Sequence, residues 1–366
     1  MKILLMSREF YPQISGVSRF MSEIVGLMDG YDFDIVALKI PGRKYGRFNF
    51  KEVNYPRYAN TRYVQALYFF FSSISKAMSS DADVIVGNAL VGSSCAAVAK
   101  LLTRKPLVSI IHDVDYVRKD VTQYSWLNKL FRKAIQRVIF SLSDRVIVVS
   151  EKVKKDIVEL HGTDPSKIYV VPNAVRVDGT FNKMNKHGKK VIMFAGVMLR
   201  KKGINYLIEA FGKIRKSFTN TELWIVGLED SKYKEELKAI ASADESLGDV
   251  RFFGEVPSLW PYYDACDIFV MPSHHSEGFG IPCIEAAAFG KPVVATTIFE
   301  QTGVVVPGKT GLIVPVKDSD ALAGAIGRLL SDGMLREKLG RNAKEFAKKF
   351  TWEKSAEKFE EVLKSI

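Results

Sequence analysis

Two carboxylates, two glycines and a proline crowd the stretch Ser273-His274-His275-Ser276-Glu277-Gly278-Phe279-Gly280-Ile281-Pro282-Cys283-Ile284-Glu285, directly after the apolar run Ile268 to Met271. Such a run reads as a buried strand. Pro282 suits a first helical position, where its missing N–H is no loss, so a helix is expected from Pro282 to about Phe289, stopped by Gly290. Unpaired N–H groups and the helix dipole at its amino end would draw an anion, and Gly278 and Gly280 let the backbone approach it closely. The expected ligand is a phosphate. Glu277 falls in the loop and Glu285 in the first turn, so the two need not share a face. The plainer role of Glu285 is compensation of the helix dipole. A carboxylate pair also serves glycoside hydrolysis, one as acid and the other as base or nucleophile.

The elements that must position this stretch repeat along the chain. Short β-branched runs, each followed by a helical pattern, occur at Ile3 to Met6, Asp34 to Leu38, Val84 to Val86, Leu107 to Ile111, Val146 to Val149 and Tyr169 to Val171. The rhythm resumes at Val191 to Ala195, Leu223 to Val226, Arg251 to Phe253, Ile268 to Met271, Val293 to Ala295 and Leu312 to Val314. Alternation of this kind builds parallel sheets covered on both faces. Two such sets make an α/β chain of two Rossmann-like domains, over residues 1–175 and 191–350, with a linker at 176–190. Ligands then belong outside the carboxyl ends of the strands. Residues 351–366 carry Trp352, Phe359, Val362 and Leu363 on one helical stripe and should pack on the body as a last helix. The 366 residues, 47% of them hydrophobic, suffice for two cores.

Cys95, Cys266 and Cys283 are scattered without metal-ligand spacing and read as reduced core thiols. No apolar stretch is long enough to span a bilayer, and Ile3 to Met6 is followed at once by Ser7-Arg8-Glu9 rather than a cleavage-type segment. A cytoplasmic location is expected, with the inner face of the cell membrane as the alternative. Of the net charge of +12, residues 1–180 carry +9, which favours an anionic partner. Two basic aromatic segments, Arg43 to Phe71 and Trp126 to Phe140, have the composition to lie on an anionic bilayer. The second, with Trp126, Leu130, Phe131, Ala134 and Val138 on a stripe, is expected instead to cover the sheet before the strand Val146 to Val149.

The run Glu277-Gly278-Phe279-Gly280-Ile281-Pro282 through Glu285-Ala286-Ala287-Ala288-Phe289-Gly290-Lys291-Pro292-Val293 closely resembles the Glu-x7-Glu signature of the retaining glycosyltransferases of family four. The resemblance implies a GT-B fold, two Rossmann-like domains facing across a cleft. It puts Glu277 by the donor sugar and reacting centre, Glu285 on the nucleotide ribose, and the N–H groups of Phe279, Gly280 and Ile281 on sugar and diphosphate. Phe10-Tyr11-Pro12 with Ser15-Gly16-Val17-Ser18-Arg19 resembles the family's first glycine-rich loop, with Ser15 in place of one glycine, so Gly16 carries the donor contact. A single glycine there also fails the dinucleotide fingerprint of dehydrogenases. His112, ending the run Leu107 to Ile111, resembles the histidine on the donor sugar.

Phe194 to Gly203 resembles the loop that sets an arginine and a lysine on the diphosphate. Lys202 fits the lysine, whereas Val197 stands where the arginine should be, and Arg200 and Lys201 are the two candidates to replace it. Arg251, in Val250 to Gly254, resembles the segment bordering the base. Pro172-Asn173-Ala174-Val175 and Ser150-Glu151 resemble architectural motifs, and Phe299 to Val305 receives no role.

The implied reaction moves a sugar from a UDP- or GDP-sugar to an acceptor hydroxyl with retention, without a metal or other cofactor, in glycolipid, glycoprotein or surface polysaccharide synthesis. Lys202, Gly16 and the Phe279 to Ile281 backbone would meet the charge of the departing diphosphate, and His112 and Glu277 would act at the sugar. The expected partners are the nucleotide sugar and a lipid-linked or membrane-borne acceptor, with peripheral membrane contact through the basic first half and no nucleic acid. The rivals are a nucleotide-sugar epimerase or hydrolase on the same fold, and a basic protein that only binds nucleic acid or membrane surfaces.

Overall fold

The computed structural model describes all residues except 11–14, 39–48, 54–61, 115–124, 178–179, 183, 229–230 and 244–246. The chain divides into two compact units, Met1–Ala174 with Trp352–Ile366, and Val175–Thr351.

The first unit runs β1 (Lys2–Met6), α1 (Gly16–Leu27), β2 (Asp32–Leu38), β3 (Asn49–Val53), α2 (Arg62–Met78), β4 (Val84–Asn88), α3 (Ala89–Thr103), β5 (Leu107–Ile111), α4 (Trp126–Leu142), β6 (Arg145–Val148), α5 (Glu151–His161) and β7 (Ile168–Val170). Its sheet is parallel, in the order β3-β2-β1-β4-β5-β6-β7. The second unit runs β8 (Lys190–Ala195), α6 (Ile204–Arg215), β9 (Thr221–Val226), α7 (Ser231–Ser242), β10 (Val250–Gly254), α8 (Trp260–Ala265), β11 (Ile268–Met271), α9 (Ile281–Ala288), β12 (Val293–Thr296), α10 (Thr297–Thr302), β13 (Gly311–Val314), α11 (Ser319–Ser331) and α12 (Gly333–Ala347). Its sheet is again parallel, β10-β9-β8-β11-β12-β13. The last helix, α13 (Trp352–Lys364), returns to the first unit.

Strands buried on both faces need continuous apolar runs, and Ile3 to Met6, Val191 to Ala195 and Ile268 to Met271 are almost wholly sequestered. Each such isoleucine, leucine or valine contributes about 1.5–3 kcal/mol by leaving water. In both units the connections run outward in opposite directions from two adjacent central strands, β1 and β4 or β8 and β11. A crevice therefore opens beyond their carboxyl ends in each unit.

Every strand expected from the sequence is present, with bounds shifted by no more than two residues. The strand β3, Asn-Phe-Lys-Glu-Val, was not expected, because an edge strand carrying Lys51 and Glu52 has no apolar run to announce it. It lies within Arg43 to Phe71, of which residues 43–48 and 54–61 fall outside the described residues. The helix α9 starts one residue earlier than expected, at Ile281, with Gly280 as its N-cap and Pro282 in the second position. Proline is tolerated there for the same reason, since that N–H has no intrahelical partner either.

The helix α13 buries Trp352, Phe359, Val362 and Leu363 and packs on α1, with the Trp352 and Phe20 rings 6.2 Å apart. The stretch 176–190, expected as a linker, falls within the second unit, where Lys186 reaches Asp267 at 2.9 Å and Phe181 meets Phe289. The helix α4 corrects the sequence reading. Its inward row is Gln136, Ile139 and Phe140, while Trp126, Leu130, Phe131, Ala134 and Val138 face out. The stripe was assigned to the sheet, and the helix lies rolled so that a neighbouring row meets the core.

Candidate active site

In the second unit the switch-point loops bring Lys202 and Glu277 together. Lys202 closes a short 3-10 turn (Arg200–Lys202) after β8, and Glu277 sits in the loop after β11. Gly203 makes the approach possible. Its φ is +67°, and a Cβ there would lie 2.2 Å from the Pro272 carbonyl oxygen, so the two loops pack backbone to backbone only with glycine. The His274 N–H donates to the Lys201 carbonyl at 3.0 Å, the His274 Nε2 bonds the Arg200 carbonyl at 2.9 Å, and the Thr296 hydroxyl donates to the Ser273 carbonyl at 2.6 Å. The Lys202 Nζ then donates to the Glu277 Oε1 at 2.7 Å, and the Ser273 hydroxyl donates to the same oxygen at 3.0 Å. Burial alone would push the Glu277 carboxyl up, but Lys202, Lys201 and Ser273 outweigh it and hold the group below the usual carboxylate range.

Beside this pair the helix α9 begins without a side-chain cap. Gly280, at φ +104°, leaves no room for a Cβ because the Phe299 ring would lie 2.9 Å away. Phe299 thus acquires a packing role that the sequence did not show. The Ser276 hydroxyl is buried without a hydrogen-bond partner, as is the His274 Nδ1. The Ser276 hydroxyl, a donor near a bare helix start, is a group that an anionic ligand would satisfy, whereas the His274 Nδ1, its ring protonated on Nε2, is an acceptor. One turn into α9, Glu285 is buried and its Oε2 accepts from the Tyr263 hydroxyl at 3.0 Å. Burial and Glu285 together push the Tyr263 phenol well up, so it stays a donor. Cys283 lies buried between the two acids, and burial pushes its thiol up as well. Cys95, Cys266 and Cys283 are all buried and free, as expected.

In the first unit the crevice holds a cavity of about 840 Å³ lined by Ser7, Arg8, Asn88, His112, Asp113 and Arg132 among others. The Asn88 amide donates from Nδ2 to the Ser7 hydroxyl at 2.9 Å and to the Val17 carbonyl at 3.4 Å. Its Oδ1 is therefore the acceptor for His112, whose Nε2 lies 2.9 Å away and must carry the proton. Burial pushes the imidazole down to about 4, so it is neutral near pH 7 with Nδ1 as an acceptor. Asn88 and Ser7 were missed in the sequence. Their one signal was position at the ends of central strands. Gly16 opens α1, where the Ser15 hydroxyl accepts from the Ser18 N–H at 3.1 Å, and residues 11–14 of that loop lie outside the described residues. Ser15 thus serves as a helix cap where the family pattern has glycine.

The model of the group 1 glycosyl transferases matches residues 176–346, and that of glycosyltransferase family 4 matches residues 14–178. HepE of Anabaena, solved in complex with UDP and glucose, superposes with a TM-score of 0.80 over 100% of both chains at 20% identity, a likeness of fold. An uncharacterized glycosyltransferase of Methanocaldococcus jannaschii is 30% identical over 282 residues, covering 72% of this chain and 70% of that one. The chain belongs to the GT-B glycosyltransferases. A D-inositol 3-phosphate glycosyltransferase of Corynebacterium urealyticum is 31% identical over 260 residues, 64% of this chain and 60% of that protein, so the match spans under two-thirds of that relative.

Val197 stands where the family resemblance puts an arginine, so that position carries no cation. Arg200 does not face Glu277: its guanidinium is engaged by Glu236 and lies 5.1 Å over the Tyr233 ring. Lys201 is the neighbour whose charge Glu277 feels. Arg251 is not brought to this group. From an exposed position it donates at 2.7 Å to the buried Glu222, near the start of β9, whose carboxylate also accepts from the Trp224 indole N–H at 2.9 Å. That is the amino end of the sheet, opposite the crevice, so Arg251 is placed as a structural ion-pair partner.

Proposed function

We propose that the chain transfers a sugar from a nucleoside diphosphate sugar to an acceptor hydroxyl with retention of the anomeric configuration and without a resident metal or other cofactor. The observation that carries this reading is the Lys202–Glu277 pair set beside an uncapped helix start with an unsatisfied Ser276 hydroxyl. The start of α9 and Lys202 take the diphosphate, and Glu285, steadied by Tyr263, takes the ribose. As the bond between C1 and the diphosphate oxygen breaks, negative charge grows on the leaving group and positive charge on the sugar ring. Lys202 and the backbone N–H groups meet the first, and the ionised Glu277 carboxylate meets the second. The acceptor oxygen bonds to C1 from the side the diphosphate leaves, and its proton passes to the departing diphosphate oxygen. Neutral His112, fixed by Asn88, offers Nδ1 to a sugar hydroxyl without adding charge.

The bound UDP and glucose of HepE support a uridine or similar nucleotide donor, and the phosphate-bearing acceptor in the inositol relative's name supports an anionic acceptor. Among the described residues no three histidine, cysteine or acidic side chains gather in a metal-binding group. The test incubates the protein with UDP- and GDP-sugars and a panel of acceptors, with and without a chelator, and reads the product by NMR. An axial donor giving an axial product at an unchanged rate in chelator supports the reading. Inverted product, sugar released without acceptor, or loss of rate on chelation would overturn the corresponding part.

A further inference from the structure

We propose that Ser273 and Thr296 are positioning residues for Glu277, locking its Oε1 so that Oε2 is the oxygen presented to the donor sugar. The proposal rests on the transfer reading and deepens it. The Lys202 Nζ and the Ser273 hydroxyl both donate to Oε1, at 2.7 and 3.0 Å, and among the described residues no donor is bonded to Oε2. A single donor leaves a carboxylate free to swivel about it, whereas two donors from separate loops fix its plane. Ser273 can do this because its own backbone is clamped on both sides. It lies two residues beyond β11, after Pro272, whose ring fixes φ. From β12, the neighbour of β11 in the sheet, the Thr296 hydroxyl donates to the Ser273 carbonyl at 2.6 Å. From the turn after β8, Gly203 packs on the Pro272 carbonyl, and the Lys201 carbonyl accepts from the His274 N–H at 3.0 Å. Ser273 and Thr296 are both fully buried. A buried hydroxyl is unfavourable unless it is bonded, and both of these hydroxyls are bonded along the one line that ends on Glu277.

The Ser273 hydroxyl matters most once the donor is bound. In the free protein Lys202, Lys201 and Ser273 together keep Glu277 ionised against its burial. Lys202 has three N–H donors, and a diphosphate takes some of them while its negative charge offsets the positive field that Glu277 feels. Ser273 has no charge to be offset, so its hold on Oε1 persists through that exchange. The neighbouring groups give Glu277 no other donor. Cys283 on α9 is kept protonated by burial and is not bonded to Glu277, Glu285 lies further along the same helix, and His274 on the loop is turned to the Arg200 carbonyl. Ser273 is therefore what keeps the carboxylate aligned and ionised at the moment the sugar ring gains positive charge.

The experiment compares the full chain with Ser273→Ala, Thr296→Val and Thr296→Ser, in steady-state kinetics across the acid limb and in titration with UDP and GDP. Ser273→Ala should keep nucleotide affinity within about 2-fold and lower kcat by about 10- to 100-fold, the worth of one hydrogen bond to a charged group. It should also move the acid limb of kcat up by about one pH unit, because a carboxylate that loses a donor is easier to protonate. Thr296→Val should do the same to a smaller degree, and Thr296→Ser, which keeps the hydroxyl, should match the wild type. Wild-type kcat in Ser273→Ala overturns the proposal. So does a loss of kcat accompanied by a lower unfolding temperature and weaker nucleotide binding with the acid limb unmoved, the signature of a purely structural role. NMR titration of labelled glutamate carboxyls, with the Glu277 signal assigned by Glu277→Gln, reads the same effect without turnover, in the free and the nucleotide-bound protein. A Glu277 carboxyl that titrates no higher in Ser273→Ala than in the wild type sinks the proposal. If the wild type transfers no sugar and that carboxyl still titrates higher in Ser273→Ala, the transfer reading falls while the hold of Ser273 on Glu277 stands.

Discussion

The two units share the order of their first six strands, the first unit adding β7 at one edge, and differ in the chemistry held at the switch point. In the second, Lys202 and Glu277 face each other at 2.7 Å beside an uncapped helix, a charged site. In the first, His112, Asn88 and Ser7 form a neutral hydrogen-bond relay beside a cavity. The sheet supplies a crevice twice, and the loops decide what each crevice can bind. On the proposed reading, charge stabilisation of a leaving diphosphate falls to the second unit and hydroxyl recognition to the first.

The largest effect should come from removing the charge. Lys202→Met is expected to lower kcat/KM by about 100- to 1000-fold, and also to lower stability by leaving the buried Glu277 carboxylate without its cation. Arg200→Met should change it less than about 2-fold, because Arg200 is engaged by Glu236 in an exposed pair, and such pairs contribute little. Steady-state kinetics on both variants sharpens the contrast, and an equal loss from Arg200→Met would break it.

Backbone packing comes next. Gly203→Ala forces a Cβ against the Pro272 carbonyl and should cost about 3 kcal/mol, read by denaturant titration. Gly162→Ala in the first unit, at a similar positive φ but in open space, should cost only about 1 kcal/mol.

The neutral unit has its own pH signature. The His112 imidazole is pushed down by burial, from 6.5 to about 4, so the unfolded chain binds a proton between those values that the folded chain refuses. Stability is full above about pH 6.5 and falls as the pH drops toward 4. His112→Gln should flatten that limb by about 3 kcal/mol, leaving the part due to His161, which burial shifts the same way. A pH series of thermal unfolding measures it. A smaller effect is that of Tyr263→Phe, which frees Glu285 of one donor and should cost about 1 kcal/mol of stability. The same variant should raise the donor KM several-fold at unchanged kcat.

The sheets were legible because buried parallel strands must be written in continuous apolar runs, as Ile3 to Met6 and Ile268 to Met271 are. The edge strand at Asn49–Val53 was not, since only its last residue, Val53, is buried. Glu277, Glu285 and Lys202 were singled out through the resemblance of their glycine-bearing loops to a family pattern, and the fold sets Lys202 against Glu277 at 2.7 Å with Glu285 buried in α9. Asn88 escaped because an asparagine ending a strand looks like any turn residue until His112 is seen to bond it. Arg251 misled for the opposite reason: a strand position gives no sign of which end of the sheet a long side chain reaches. The α4 stripe misled too, since periodicity identifies an apolar face without saying whether it turns to the core or to the surface.

The most direct test of where the diphosphate charge is met is calorimetric titration of UDP and GDP into the wild type, Lys202→Met and His112→Gln. Whichever nucleotide binds should lose about 10- to 100-fold in affinity on Lys202→Met and keep it on His112→Gln. Unchanged affinity in Lys202→Met, or a loss confined to His112→Gln, would contradict the assignment of the diphosphate to the second unit.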